Sequence, residues 1–348
     1  MNARDLHPAS WQRLQDWRPR LPHALLFAGA RGIGKTDLAR AFAAALLCEA
    51  PNEGFACGAC AGCRWFGQGQ HPDFRLLAPE ALQPVLAGEE KKKSEKAEKE
   101  KSSRGGQEIT IAQIRELDEF LAVGAHRNGA RIILLHPAES LNRAAANAIL
   151  KILEEPPAGV LFLLVSSEPM RLLPTLRSRC QTLAIPLPDT EKATRILAAA
   201  GLKEAENWLA LAGGAPELAR QLAEKTATEW LQALTEALAC GRRLEVLTAA
   251  AGLEKSLKAV KGENPLPLLL ECAQKWIVDL NLAAQGIPIR FYLRERDRIT
   301  ELARVAYLLP LARFYRQVTI WRRFAGHPLN LRLFLEQFFF GYRTLFAK

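Results

Sequence analysis

The sequence predicts an α/β domain built on a phosphate-cradling P-loop and followed by an all-helical remainder, and three observations carry that prediction. Residues 29 to 36 read G-A-R-G-I-G-K-T, a complete P-loop pattern. Apolar runs of strand length recur through the first half of the chain with helical patterns between them. Beyond about residue 187 only helical periodicity is left.

The first strand candidate is H-A-L-L-F at 23 to 27, directly before the loop, and the helix-forming run T-D-L-A-R-A-F-A-A-A-L-L opens at Thr36. Between them Gly29, Gly32 and Gly34 let backbone N–H groups close on phosphate oxygens. Lys35 reaches the β/γ-phosphates and Thr36 offers its hydroxyl to Mg²⁺. The alternative is a glycine-rich turn with no ligand.

A cluster of cysteines follows that helix: Cys48, Cys57, Cys60 and Cys63, while Cys180, Cys240 and Cys272 are scattered. Four thiolates within sixteen residues can wrap one tetrahedral Zn²⁺ at about 2.3 Å per bond. All four positions are then protein ligands, which makes such a metal structural. The rivals are a redox pair at Cys57 and Cys60, or four unligated thiols. Residues 89 to 104 (E-E-K-K-K-S-E-K-A-E-K-E-K-S-S-R) have no apolar member beyond Ala97 and are expected to form a disordered surface insertion.

Further strand candidates lie at 73 to 77, 131 to 135, 159 to 165 and 181 to 185, with helices expected at 111 to 122 and 139 to 155. Together with the first strand they make a five-stranded sheet. The helix 139 to 155 carries Lys151 near its C-terminal end and is stopped by Pro156 and Pro157. The strand R-I-I-L-L at 131 to 135 is where a P-loop protein places a magnesium-holding Asp. Here H-P-A-E at 136 to 139 puts His136 in that place. Neutral imidazole is a poor ligand for a hard, oxygen-seeking cation, so magnesium binding is expected to be weak. The other reading is that His136 simply ends the strand; either way the carboxylate is gone. Glu139 is placed to polarise a water but lacks its ion. I-P-L-P-D at 185 to 189 reads as a linker, and a small helical unit follows to about 224.

The chain of 348 residues is long enough for two or three domains, and its 49% hydrophobic content is that of a globular protein. No apolar stretch reaches membrane-spanning length and M-N-A-R-D-L-H lacks a signal-peptide core, so a cytoplasmic, non-membrane protein is expected. The net charge of +10 is localised: residues 287 to 348 hold eleven Arg and one Lys against four acids, a net of +8, with half of the aromatic residues. That mixture suits a DNA-facing surface or an acidic partner. The rings at 334 to 340, like the apolar residues of 302 to 318, recur at helical spacing, so core or a subunit interface is the expected use of many.

The P-loop, the four-cysteine insert, H-P-D at 71 to 73, N-A-I-L-K-I-L-E-E-P-P at 147 to 157 and L-P-T-L-R-S-R-C at 173 to 180 together resemble the δ′-type clamp-loader branch of the AAA+ ATPases, associated with bacterial DNA polymerase III. The resemblance runs through residues 1 to 186 and is weaker after 225, where H-P-L-N at 327 to 330 is suggestive. It implies a RecA-like AAA+ domain over 1–186 with a zinc module at 48–63, a helical lid over 187–224 and a helical collar over 225–348 that closes a five-subunit ring. It also implies an accessory role in which Arg179, within S-R-C at 178 to 180, is supplied in trans to a neighbour's ATP; without the resemblance Arg179 reads as a local salt-bridge residue. The implied partners are clamp-loader ATPase subunits, the clamp-opening subunit and, through the complex, the sliding clamp and primed DNA. Two departures stand out. A-G-G-A-P-E-L at 212 to 218 offers Glu217 where a motor subunit has a nucleotide-sensing arginine, and Ser166 and Ser167 occupy the place of a polar sensing residue. Structural Zn²⁺ and weak ATP/Mg²⁺ binding are the expected cofactors. Two alternatives are a motor subunit using Gly29 to Thr36 with Glu139 as base, and a zinc-containing single-stranded nucleic-acid binder working through its basic C-terminal region.

Overall fold

Five parallel strands form the sheet of the computed structural model: β1 (Ala24–Ala28), β2 (Phe74–Leu77), β3 (Arg131–Leu135), β4 (Val160–Ser166) and β5 (Gln181–Ala184). Their order is β2-β3-β4-β1-β5. The structure describes residues 3–80, 82, 106, 108–122, 130–260, 264–326 and 330–346. The expected insertion at 89 to 104 and most of H-P-L-N at 327 to 330 lie outside the described residues.

Every residue of β1, β3 and β4 is buried. Parallel strands need crossover helices, and those helices cover both faces, so central strands read as unbroken apolar runs. Strand bounds differ from the sequence expectation by one residue at most. His23, for instance, stands just outside β1, yet its carbonyl accepts from Phe162 N at 2.8 Å. On one face Ile133, Leu135, Phe162 and Leu164 pack with Ile114, Leu117, Ile149 and Leu153 from the helices Ile111–Ala122 and Arg143–Glu154. Burying such a side chain contributes roughly 1.5–3 kcal/mol, and this layer fixes the ends of β1, β3 and β4 where the loop residues converge.

The helix expected over 139 to 155 starts later. Ala138–Ser140 is a single 3₁₀ turn, and the α-helix spans Arg143–Glu154. Asn142 is the cause: its side chain accepts from Ala145 N at 2.8 Å and so caps the helix. Its backbone N–H meanwhile donates to Ile109 O, and Ser140 O accepts from Ile109 N. Glu139 is thereby held on a turn.

The chain divides into two compact units, Met1–Pro188 and Asp189–Lys348. The second has no strand among its described residues. Three short helices, Thr190–Ala199, Ala205–Leu211 and Pro216–Leu222, precede longer ones that include Lys225–Ala239, Val246–Lys258, Leu266–Ala284, Leu308–Phe324 and Leu331–Arg343. Trp230, Trp276, Phe338, Phe339 and Tyr342 are fully buried. Trp276 Nε1 donates to Tyr342 Oη at 2.9 Å, which donates to Leu238 O at 2.8 Å, so neither polar handle is stranded in the core. Asp279, also fully buried, accepts from the backbone N–H groups of Arg290, Phe291 and Tyr292 at 2.7–3.3 Å, which pins the connection after Leu266–Ala284. The aromatic C-terminal segment is therefore largely core, with Tyr307, Tyr315, Phe324 and Phe340 left exposed. No helix among the described residues is long and apolar enough to cross a membrane.

Candidate functional site

The P-loop connects β1 to the helix Lys35–Leu47. Gly29 follows the strand where the backbone of the next strand comes close: a Cβ there would stand 2.5 Å from Ile185 O. Gly34 sits at φ +88°, the left-handed turn that delivers the chain into the helix, and Gly32 is at φ +76°. Lys35 and Thr36 thus open a helix whose free N–H groups face the loop, the arrangement that favours anions.

Lys35 is buried at 4% exposure, with Nζ donating to Ala30 O at 2.5 Å and to Ser167 Oγ at 3.0 Å. Burial lowers its pKa to about 8, against the pull of the Glu139 charge. Glu139 Oε1 accepts from Ser167 N at 3.0 Å, while Oε2 is buried without a hydrogen-bond partner. His136 lies 3.4 Å from Thr36 Oγ1 through either ring nitrogen. Burial pushes its pKa down to about 4, so the imidazole is neutral at physiological pH. Lys35, Thr36, His136, Glu139 and Ser167 therefore converge on one spot at the ends of β1, β3 and β4. A polyphosphate could take Lys35 from Ala30 O. A hard divalent ion would meet the Thr36 hydroxyl and a neutral ring nitrogen where a carboxylate is wanted. Ser166 points elsewhere: fully buried, its Oγ accepts from Glu168 N at 3.2 Å.

His7, just before the helix Pro8–Trp17, was not singled out from sequence. Its ring Nε2 lies 2.5 Å from Ile33 O and so donates to the loop's own carbonyl. Burial, and then the nearby Lys35 charge, lower its pKa against the Ile33 hydrogen bond. The His7-Pro8 pair ahead of a helical run was the available signal, but a partner 26 residues away was not readable.

Cys48, Cys57, Cys60 and Cys63 come together, with all four Sγ atoms within 4.8 Å of one another. Cys48–Cys60 and Cys57–Cys63 are each 3.9 Å apart, close to the edge of about 3.8 Å for a tetrahedron with 2.3 Å metal–sulfur bonds. Backbone N–H groups of Cys57, Cys60 and Cys63 point at the sulfurs of Cys48, Cys57 and Cys60 at 3.2–3.4 Å, which offsets thiolate charge. The donor set fits a tetrahedral metal ion, and the spacing is too long for a disulfide.

Arg179 ends the short helix Pro174–Ser178. Its guanidinium pairs with Glu154 at 2.7 Å and donates to Thr175 O at 2.9 Å, with about a third of the side chain exposed. Glu217, in the second unit, pairs with Arg220 at 3.0 Å on an exposed helix face.

A protein-family model described as DNA polymerase III, delta subunit, matches residues 9–189. The DNA polymerase III subunit delta′ of Pseudomonas aeruginosa is 36% identical over 283 residues, covering 79% of this chain and 77% of that protein. The delta′ subunit of Escherichia coli is 34% identical over 220 residues, covering 62% of this chain and 59% of its own length. The tau subunit of Escherichia coli is 32% identical over 173 residues, half of this chain and 23% of the tau protein. With the family model spanning residues 9–189, more than half of the chain, and a delta′ protein 36% identical over 79% of it, the chain belongs to the DNA polymerase III delta′ family.

Proposed function

We propose that this chain is an accessory subunit of a DNA polymerase III clamp-loader assembly, supporting ATP-dependent loading of the sliding clamp onto primed DNA. It lends Arg179 to the ATP of a neighbouring subunit and does not hydrolyse ATP itself. Residues 187–224 serve as a helical lid and residues 225–348 as a collar that meets the other subunits. The four cysteines hold a structural Zn²⁺.

The observation that carries this reading is the neutral His136 beside Thr36, where a hydrolytic site needs a carboxylate for magnesium. Glu139 is engaged by Ser167 N, and Lys35 by Ala30 O and Ser167. Nucleotide can sit in such a loop without being turned over. Arg179 suits the other half of the role: its fork carries a permanent charge that neutralises charge developing on a transferring γ-phosphoryl group. An exposed ion pair such as Arg179–Glu154 is worth about 0–1 kcal/mol, so a neighbour's phosphate can compete for the guanidinium.

The test is ATP turnover in the reconstituted assembly. Arg179→Ala is expected to leave assembly intact and lower DNA-stimulated hydrolysis several-fold; unchanged hydrolysis at saturating ATP refutes the role. A motor-subunit reading is favoured by the completeness of residues 29 to 36. Lys35-dependent hydrolysis by the lone chain, abolished in Lys35→Ala, would establish it instead.

A further inference from the structure

The helix Leu308–Phe324 holds four arginines and not one acid. Its inner side is set by Leu311, Phe314 and Val318, which are buried. On the opposite side Leu309, Arg313, Arg316, Ile320 and Arg323 follow one another at steps of four, three, four and three residues, a single straight stripe along the outer face. All five are exposed, Leu309 at 61% and Ile320 at 39%. Arg322, one residue off the stripe, is paired with Glu271 and Gln274. Arg313, Arg316 and Arg323, in contrast, make no ion pair among the described residues.

Such a face is costly in isolation. Arg313 and Arg316 are neighbours on the helix surface and repel each other, and neither is near enough to the C-terminus to be offset by the helix dipole. Leu309 and Ile320 meanwhile expose apolar surface. Both defects vanish against one kind of surface, in which carboxylates meet the guanidiniums and aliphatic side chains meet Leu309 and Ile320. A nucleic-acid backbone would satisfy the arginines and leave the two aliphatic residues unburied. A second copy of this chain would set three guanidiniums against three.

We propose that this stripe is a protein-docking face, and that its occupant is a helix of another clamp-loader subunit presenting Asp or Glu at three- and four-residue spacing with aliphatic residues between. The proposal rests on the assembly reading above and goes beyond it by naming the face and the chemistry of its partner.

The test uses the full-length chain mixed with the remaining DNA polymerase III subunits of the same organism, with complex formation read by mass photometry. Three proteins are compared: wild type, the Arg313→Glu/Arg316→Glu/Arg323→Glu variant, and a charge-matched control with Arg115→Glu, Lys203→Glu and Lys255→Glu. Wild type and control should assemble while the stripe variant is weakened roughly tenfold or more. If wild type itself fails to assemble, the accessory-subunit reading falls and takes this one with it. Equal assembly of all three overturns the docking face alone. A stripe variant that assembles normally but loses primed-DNA binding overturns it in favour of a phosphate contact. Ile320→p-benzoylphenylalanine, with the arginines intact, guards against misfolding: its photo-adducts should map to an acidic helical segment of one other subunit, and adducts only to DNA or to none refute the proposal.

Discussion

His136 makes the protein's stability depend on pH in a way that can be worked out from its surroundings. Buried beside Thr36, it has a pKa of about 4 in the folded chain against an ordinary value of 6.5. The unfolded chain therefore binds a proton first as pH falls, and the stability supplied by the neutral ring is complete above about pH 6.5 and is lost on the way down to about pH 4. Two protonation equilibria with those constants give a loss of about 2 kcal/mol between about pH 7.5 and pH 5, and about 3 kcal/mol by pH 4. His136→Asn cannot titrate and removes this contribution, whereas His7, lowered in the same direction, remains in both proteins and cancels. Urea unfolding of the wild type and the variant at the two pH values is the assay. The wild type should lose about 2 kcal/mol more than the variant by pH 5. Parallel losses would show that the folded chain takes up a proton at His136 as readily as the unfolded one, and the reasoning from burial of the ring then fails.

Further tests reach other parts of the molecule. Metal analysis of the purified chain should find about one zinc ion, and Cys57→Ser should release it and lower the melting temperature; a folded, metal-free wild type removes the site. Gly29→Ala should cost about 1–3 kcal/mol in urea unfolding, because its methyl group would stand 2.5 Å from Ile185 O, and an unmoved midpoint would mean that β5 gives way easily. Tyr342→Phe strands the Trp276 N–H in the core and should destabilise the second unit by about 1–3 kcal/mol, measured by denaturant titration of tryptophan fluorescence; no change would point to another acceptor for that N–H.

The strands were legible because a parallel sheet buried on both faces leaves near-continuous aliphatic writing, as in R-I-I-L-L and V-L-F-L-L-V-S. The P-loop and the cysteine quartet were equally plain, since each depends on spacing within a short segment. Residues 139 to 142 were misread because an alanine-rich run looks alike whether it begins as a helix or as a turn capped by Asn142, although that asparagine three residues before Ala145 was a visible signal. What sequence could not supply was long-range partnership. Nothing local shows that Lys35 would turn toward Ala30 O and Ser167, that His7 would close on Ile33 O, or that Arg179 would find Glu154. Asp279, isolated in an apolar helix, could be read only as an oddity until its three backbone donors were seen.

The sheet order has a bearing on how the chain is made. Of the five strands of the sheet, β1 is the first to leave the ribosome, yet it pairs only with β4 and β5, the last two of the five to be synthesised. At about 5–20 residues per second, Leu25, Leu26 and Phe27 wait on the order of ten seconds or more before Leu163 and Leu183 emerge beside them. Through that interval the nascent polypeptide carries an orphan aliphatic strand, a natural client for chaperones, and any truncation ahead of β4 leaves it permanently sticky.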